Sequence, residues 1–356
     1  MAIASFTKAK IRGLATVVPP EVKCIDDEVH LYGGNEKQIA RIKKAIGLDK
    51  RHVVSEGVTS LDLCEAAALK LFSELDVNKS LIDGVIFVTQ TPDHFQPSNA
   101  AIVHGKLGLS TSVAAFDVSL GCSGYVYGLW LAHMMVQTGS CKNVLVLAGD
   151  TLSRCVNPKD RSTAPLFGDA GSATLVSVSS DESNSYFSLH TDGEGSEYII
   201  QPAGGFRTPF SNETEQESVD DEGNYRSLND LYMNGAEVFN FAIKTEPKAI
   251  TDILEFSGRT MDDIDYLFFH QANQYIISNI VRRIKAPKDK APSDIVSLYG
   301  NQSSASIPCA ISHTLGGKAV STDNVVLSGF GVGLSWASAV LSLNSAYVSE
   351  VVVLQK

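Results

Sequence analysis

The sequence is short of positive charge, and this shortage excludes a class of partner. Its 29 lysine and arginine residues are outnumbered by 40 aspartate and glutamate residues, for a formal net charge of −11. Proteins that bind nucleic acid need a surplus of basic side chains for the phosphates, so we expect no nucleic-acid partner. The one basic concentration, between Arg282 and Lys290, is either a solvated helix end or a docking patch.

Long apolar runs and paired cysteines are also missing. No run is long enough to span a bilayer, and residues 1–10 lack the apolar core of a signal peptide, so we expect no membrane span. The six cysteines form no CxxC pair and no Cys/His cluster with metal-ligand spacing. This pattern predicts reduced thiols, no metal site and a cytoplasmic location. Five of the six, all except Cys122, should be buried packing residues.

What the chain does have is a regular alternation of strand-like and helix-like segments. Short runs rich in apolar and β-branched residues alternate with stretches that are apolar at helical spacing. The pattern predicts α/β layers with sheets buried on both faces. The clearest strand-like runs are Val85–Val88, Val144–Leu147, Tyr266–Phe269 and Val325–Leu327.

The second half of the chain echoes the first. Asp83 and Asp265 each precede a strand, and Gly121-Cys122 and Gly300-Asn301 each precede a helix and then a further strand. We predict a tandem duplication, with residues 1–180 and 181–356 as pseudo-twofold halves. Residues 201–231, rich in Gly, Pro and acids, should form a long surface excursion that is either a functional cover or a mobile insertion.

Cys122 has the setting of a nucleophile. It lies in Gly121-Cys122-Ser123-Gly124, directly before an apolar helix. The positive end of a helix and its unpaired N–H groups favour thiolate over thiol, and flanking glycines allow a carbonyl to approach the backbone. A buried core cysteine is the alternative.

Two polar residues and one glycine-rich turn in the second half of the chain are further candidates for the site. His270 ends the apolar strand Tyr266–Phe269, at the rim of a cleft or as a structural histidine. Asn301 occupies the repeat position of Cys122, facing the same cleft or serving as a helix N-cap. The turn Ser328–Gly333 is suited to lend a backbone N–H to an oxyanion hole.

These residues, taken together, resemble the β-ketoacyl-acyl carrier protein synthase III family. The resemblance runs from about Ile11 to Leu343 and implies a thiolase-like fold with a layered αβαβα core. The motifs that carry it are Gly121–Gly124, Asp160–Thr163, Phe167–Gly171, Tyr232–Phe239, His270–Asn273, Gly300–Ala310 and Gly329–Gly333.

The resemblance implies a decarboxylative Claisen condensation by a transferase. Cys122 would take an acyl group from a thioester, with the N–H groups of Cys122 and Val332 holding the oxyanion. His270 and Asn301 would then stabilise the enolate of a malonyl thioester. The product would be a β-ketoacyl thioester of fatty-acid or specialised acyl biosynthesis.

The resemblance also implies substrates and partners. The phosphopantetheine arm of the substrate would contact Arg161, Phe167, Met233 and Gly235, and no separate cofactor is expected. Thr91–Pro97 would reach across the twofold axis of a homodimer. No Trp precedes Trp130 and Ala236 replaces an expected Asn, which favours an acyl carrier protein over coenzyme A as donor. That partner would dock on Arg282, Arg283 and Lys285.

Other functions use the same residues. One is an acyltransferase that moves the Cys122-bound acyl group to an alcohol or amine without decarboxylation. Another is a type III polyketide synthase, which shares Cys, His and Asn in these roles. A non-enzymatic partner subunit would be expected to have lost Cys122, and this chain retains it.

Overall fold

The structure, a computed structural model, describes residues 2–32 and 34–355. Its strands are β1 Ala2–Phe6, β2 Ala9–Val18, β3 Glu21–Cys24, β4 Lys50–Val53, β5 Gly84–Val88, β6 Ala114–Val118, β7 Asn143–Asp150, β8 Ala170–Val178, β9 Ser185–Thr191, β10 Ile199–Ile200, β11 Ser218–Val219, β12 Tyr225–Arg226, β13 Tyr232–Met233, β14 Tyr266–Phe269, β15 Val325–Gly331, β16 Ser335–Leu341 and β17 Tyr347–Val353. Its α-helices are α1 Glu36–Ile46, α2 Ser60–Glu74, α3 Asn99–Leu107, α4 Gly124–Gln137, α5 Gly235–Ser257, α6 Gln274–Ile284, α7 Ile295–Tyr299 and α8 Ser306–Leu315.

The long strands form two sheets. The first has the order β17-β2-β8-β7-β5-β6 and the second β1-β9-β16-β15-β14. In each sheet the inner strands are largely buried on both faces, because helices cover both sides. This confirms the α/β architecture predicted from the alternation of segments.

Five layers follow from the apolar clusters. Helices α4 and α8 lie between the sheets, where Tyr125 and Ile311 pack with residues of both. Helices α2 and α3 cover the outer face of the first sheet, and α5 and α6 cover that of the second. The expected αβαβα order is confirmed.

The internal repeat extends to hydrogen bonds. The Asp83 carboxylate accepts the N–H groups of Lys142 (2.7 Å) and Asn143 (3.0 Å), and so ties β5 to the start of β7. Asp265 does the same for Asp323 (2.9 Å) and Asn324 (3.1 Å), before β14 and β15. β5 is parallel to β7, as β14 is to β15. The pseudo-twofold relation therefore holds at the atoms that position the strands.

Two features depart from a simple duplication. The segment before Cys122 contains a strand, β6, whereas its counterpart before Asn301 is the short helix α7. In addition, β1 joins the second sheet and β17 joins the first. The division at residue 180 stays a prediction.

Local signals position the helices near the cleft between the sheets. Asn234 caps α5 by accepting the Glu237 N–H (3.2 Å), and Gly258 ends it with a φ of 68°. Asn273 caps α6 by accepting the Ile276 N–H (2.8 Å). The two N-caps fix where α5 and α6 begin, and residues of both first turns line the interior cavity.

Candidate active site

Cys122 lies at the end of the β6–α4 connection, against the C-terminal glycine turn. A Cβ on Gly331 would come within 2.9 Å of its Cβ and Sγ atoms, and one on Gly329 within 2.5 Å of its carbonyl oxygen. Side chains at these two positions would collide with the Cys122 backbone and thiol. The glycines therefore allow the turn to approach the sulfur, and Gly331 and Val332 line the same cavity as Cys122.

The Cys122 thiol is protonated in the free protein, contrary to the expectation of a stabilised thiolate. Burial raises its pKa to about 12, although the Ser303 hydroxyl (Oγ 3.9 Å from Sγ) and the N–H groups of Val332 and Cys122 act in the opposite direction. Helix α4 begins at Gly124, two residues beyond Cys122. Desolvation of the charged sulfur outweighs the donors around it.

His270 follows β14 and is 2% exposed. Its Nδ1 lies 2.6 Å from the Ser306 hydroxyl, and Phe330 meets the ring edge-on at 84° with centroids 5.6 Å apart. Burial lowers the pKa of His270 to about 3, with a smaller opposing contribution from the Ser303 backbone. The imidazole is therefore neutral at physiological pH.

Asn301 follows α7 and is held by its own backbone. Its N–H donates to the Leu166 carbonyl (2.8 Å), and its carbonyl accepts the Gly168 N–H (3.1 Å). The Oδ1 atom accepts the Ser303 N–H at 2.9 Å. Gln302 occupies the N-cap position of the 3-10 turn Ser303–Ala305 but makes no side-chain cap hydrogen bond, so the Asn301 side chain supplies the cap for that turn. The side-chain NH2 group of Asn301 is then available to donate hydrogen bonds into the cavity.

One buried cavity brings these side chains together. Cys122 comes from the first half of the chain, and His270, Asn301 and Val332 come from the second. Three of the four expected pantetheine contacts also line this cavity: Phe167, Met233 and Gly235. The remaining lining residues are Gln90, Leu152, Leu166, Ile199, Leu231, Val238, Ala272, Asn273, Ile276, Phe330 and Gly331.

The sequence of the chain was compared with those of known proteins and protein families. Residues 116–195 match the family model described as 3-oxoacyl-[acyl-carrier-protein (ACP)] synthase III, and residues 254–343 match its C-terminal model. The β-ketoacyl-[acyl-carrier-protein] synthase III of Caldanaerobacter subterraneus is 38% identical over 297 residues, covering 83% of this chain and 86% of the relative. The Campylobacter curvus protein of the same name is 35% identical over 338 residues, covering 94% and 96%. The chain belongs to the 3-oxoacyl-[acyl-carrier-protein] synthase III family.

Solved structures agree with this assignment. The 3-oxoacyl-(acyl-carrier protein) synthase of Burkholderia xenovorans LB400 superposes with a TM-score of 0.92 at 34% identity, covering 99% of both chains. The resemblance proposed from the motifs is confirmed, and with it the thiolase-like fold.

Arg161, the fourth expected pantetheine contact, does not line the cavity of this synthase III family member. Its guanidinium donates to the carbonyl of Glu222, within the 201–231 excursion. The excursion is folded on the loop that carries Arg161: Arg226 pairs with the buried Asp160 (2.9 Å), and Lys159 pairs with Glu217 (2.8 Å). It ends at Leu231, which is in the cavity wall.

The basic residues Arg282, Arg283 and Lys285 also lie away from the cavity. They form the last turn and C-cap of α6, whose first turn supplies Ile276 to the cavity. At 1.5 Å per residue, Arg282 is about 9 Å further along the helix axis than Ile276. They do not line the cavity itself, and their docking role stays a prediction.

Sequence reasoning missed three residues beside the nucleophile. Gln90, two residues after β5, lines the cavity. Ser303 is buried with a φ of +49°, a left-handed conformation that is uncommon for a residue other than glycine. Asp150 is fully buried and accepts N–H groups from Gln90 (2.7 Å) and Ser304 (3.1 Å). The sequence signal that could have identified Gln90 is its place as a polar residue just after the buried strand β5.

The remaining cysteines are free, as predicted, but not all are buried. Cys64, Cys141 and Cys309 are buried, whereas Cys24 and Cys155 are partly exposed. Within residues 2–32 and 34–355, no helix is long and apolar enough to cross a membrane. The same part of the chain contains no group of three His, Cys, Asp or Glu side chains that could hold a metal ion.

Proposed function

We propose that this protein condenses an acyl group held on Cys122 with a malonyl thioester, releasing carbon dioxide and a β-ketoacyl thioester. The observation that supports this most directly is the shared cavity of Cys122, His270 and Asn301. The names of the relatives, β-ketoacyl-[acyl-carrier-protein] synthase III, denote the same reaction class. The pathway served would be fatty-acid biosynthesis or a related route.

In the first stage, Cys122 exchanges its proton for an acyl group. Its sulfur attacks the thioester carbonyl carbon, the carbon–sulfur bond to pantetheine breaks, and the thiol proton ends on the departing pantetheine sulfur. The N–H groups of Cys122 and Val332, which act to lower the pKa of the thiol, would hold the oxyanion. Because burial raises the pKa of Cys122 to about 12, the sulfur loses its proton as part of this stage.

In the second stage, the malonyl carbon–carboxylate bond breaks and its electron pair becomes the enolate. Neutral His270 and the amide of Asn301 would donate hydrogen bonds to the enolate oxygen. The carbanion then attacks the acyl carbon on Cys122, and the sulfur leaves and regains a proton from solvent. A neutral imidazole suits this role, because an imidazolium could protonate the carbanion before it reacts.

The donor would be an acyl carrier protein. Arg161 is held by Glu222 and so is not free for a nucleotide. Carrier proteins are acidic, and this chain is acidic overall, so association needs a local basic surface. Arg282 and Arg283 are exposed at the end of α6 and would supply it, with Lys285.

We also propose a homodimer formed around residues 91–97. Phe95 in this loop is 71% exposed, and its ring packs at 5.7 Å on that of Phe206, which is 88% exposed. Exposed aromatic patches of this kind mark association surfaces, and twofold symmetry is the commonest. Phosphopantetheine would enter only as part of the substrates, with no separate cofactor, and the free thiols suit a cytoplasmic location.

The test is intact-mass analysis with acyl thioesters, followed by malonyl carrier protein. The protein should gain one acyl mass, Cys122→Ser should gain none, and His270→Ala should gain the acyl mass but release no carbon dioxide. Transfer of the acyl group to an alcohol or amine without carbon dioxide release would instead show a simple acyltransferase. Repeated extension on free coenzyme A would indicate the polyketide synthase alternative.

A further inference from the structure

The two ring nitrogens of a neutral histidine have different roles. One nitrogen carries the proton and donates a hydrogen bond, whereas the other can only accept one. Burial keeps His270 neutral by lowering its pKa, so the ring has a single proton to offer. The groups that surround the ring decide which nitrogen carries that proton.

The hydroxyl of Ser306 contacts the Nδ1 atom of His270. The two atoms are 2.6 Å apart, and Ser306 is fully buried. Its oxygen also accepts the Gln271 N–H, at 3.4 Å. Within residues 2–32 and 34–355, the Ser306 hydroxyl makes no hydrogen bond besides these two, so Nδ1 is the acceptor available to its proton. A buried hydroxyl proton without an acceptor is costly, and the Ser306 O–H therefore donates to Nδ1.

The helix that begins at Ser306 favours the same arrangement. Helix α8 runs from Ser306 to Leu315, so the Nδ1 atom lies at its N-terminal end. The N-terminus of a helix carries partial positive charge, which attracts the lone pair of a nitrogen and repels an N–H proton. The competing arrangement places the proton on Nδ1 and uses the backbone of Ser303, which acts to raise the pKa of His270, as its acceptor.

We propose that Ser306 is a positioning residue that keeps the proton of His270 on Nε2. The inference rests on the proposed function and deepens it, because Nε2 is the ring nitrogen left for the cavity that His270 lines. With the proton on Nε2, the ring donates to the enolate oxygen and stays neutral throughout the reaction. In the other tautomer, Nε2 would present a lone pair to the negative oxygen, and the two would repel each other.

Nitrogen-15 NMR of the histidine-labelled protein, recorded without substrate, distinguishes the two tautomers by the chemical shifts of Nδ1 and Nε2. The signals of His270 are those that disappear in His270→Ala. The parent protein should show the proton on Nε2, and Ser306→Ala should move it at least in part to Nδ1. Ser306→Thr keeps a hydroxyl and should keep the proton on Nε2. Ser304→Ala is the matched control: it removes a hydroxyl that is 1% exposed and has no partner in the described part of the chain, and should leave the tautomer unchanged.

The second readout is carbon dioxide release from malonyl carrier protein, compared with the rate of Cys122 acylation in the same variant. Ser306→Ala should lower carbon dioxide release roughly two- to tenfold, the effect of one lost hydrogen bond, and leave acylation unchanged. A proton on Nδ1 in the parent protein would overturn the inference, as would a Ser306→Ala variant that keeps its proton on Nε2 or a Ser304→Ala variant that changes as much. A proton on Nε2 in a parent protein that gains no acyl mass would instead count against the proposed function.

Discussion

Replacing Arg226 by Met should loosen the excursion and, with it, one wall of the cavity. Arg226 Nη1 lies 2.9 Å from Asp160 Oδ2, and the side chains are 16% and 0% exposed. The guanidinium also contacts Asp220 and lies 5.3 Å from the centre of the Tyr232 ring. Arg226 thus joins the excursion to the loop that carries Asp160 and to Tyr232 in β13.

The free-energy cost of Arg226→Met depends on the hydrogen bonds that Asp160 would still accept. Breaking a buried pair usually costs about 3–5 kcal/mol, because the remaining charge is left without its partner. Asp160 Oδ1 would still accept the Ser162 N–H (2.8 Å) and hydroxyl (2.6 Å), which lowers the cost. We expect about 2–3 kcal/mol, equivalent to roughly a 30- to 150-fold increase in local opening.

Hydrogen exchange followed by mass spectrometry of the peptides from 213 to 231 measures this opening directly. Lys159→Met is the matched control: it removes a cation from the same cover, but from an exposed pair with Glu217, and should change exchange little. Adding Asp160→Asn to Arg226→Met should recover part of the protection. Leu231 ends the excursion in the cavity, so KM for the thioester should rise more than kcat falls. Equal exchange in the Arg226 and Lys159 variants would refute the argument.

Three further predictions concern titration and docking. Since burial raises the pKa of Cys122 to about 12, iodoacetamide labelling of the free protein should be slow at neutral pH and accelerate with rising pH; a rate that is flat from pH 6 to 9 would show a thiolate. Burial raises the pKa of Glu246 from 4.5 to about 8, so between these pH values the folded protein keeps a proton that the unfolded chain releases. The stability that this proton confers is therefore lost as the pH rises from about 4.5 to 8. The free energy of unfolding of Glu246→Gln, measured in urea, should depend less on pH in that window, and an unchanged pH dependence would assign the titration to another group. Arg282→Glu with Arg283→Glu should raise KM for carrier-bound substrate in a salt-sensitive way, with little effect on a pantetheine thioester; equal effects on both substrates would reduce the patch to a solvated helix end.

The strands and the repeat were predictable because they depend on local pattern. Val85–Val88 and Tyr266–Phe269 are apolar on both faces, and a strand with helices on both sides needs that composition. Helix α7 was not predictable from the repeat, since Val296-Ser297-Leu298-Tyr299 resembles the segment before Cys122. Its contacts with β4, including Tyr299 and His52 with ring centroids 5.5 Å apart, are distant in sequence.

Sequence reasoning placed Cys122, His270 and Asn301 at one cleft, and the structure brings them to one cavity, but the electrostatics of the site were not predicted. The glycines around Cys122 indicate a tight approach, whereas the depth of burial that keeps the thiol protonated comes from the packing of both sheets. The distance of the basic residues from the cavity has a related cause: sequence places Arg282 after His270 but does not say which end of α6 faces the cavity. Gln90 escaped notice because its neighbours across the cleft, Gly121 and Ser303, are remote along the chain.

The exchange of β1 and β17 between the sheets has a consequence for how the chain is made. The first sheet needs residues 347–353 at its edge, beside β2. All five of its other strands lie before residue 180, yet the partner for the open edge of β2 is synthesised only after β14, β15 and β16 of the second sheet. Until then that edge offers unpaired backbone groups to other nascent chains. Truncation before residue 347 should therefore yield aggregated protein, even though Cys122, His270 and Asn301 are all present.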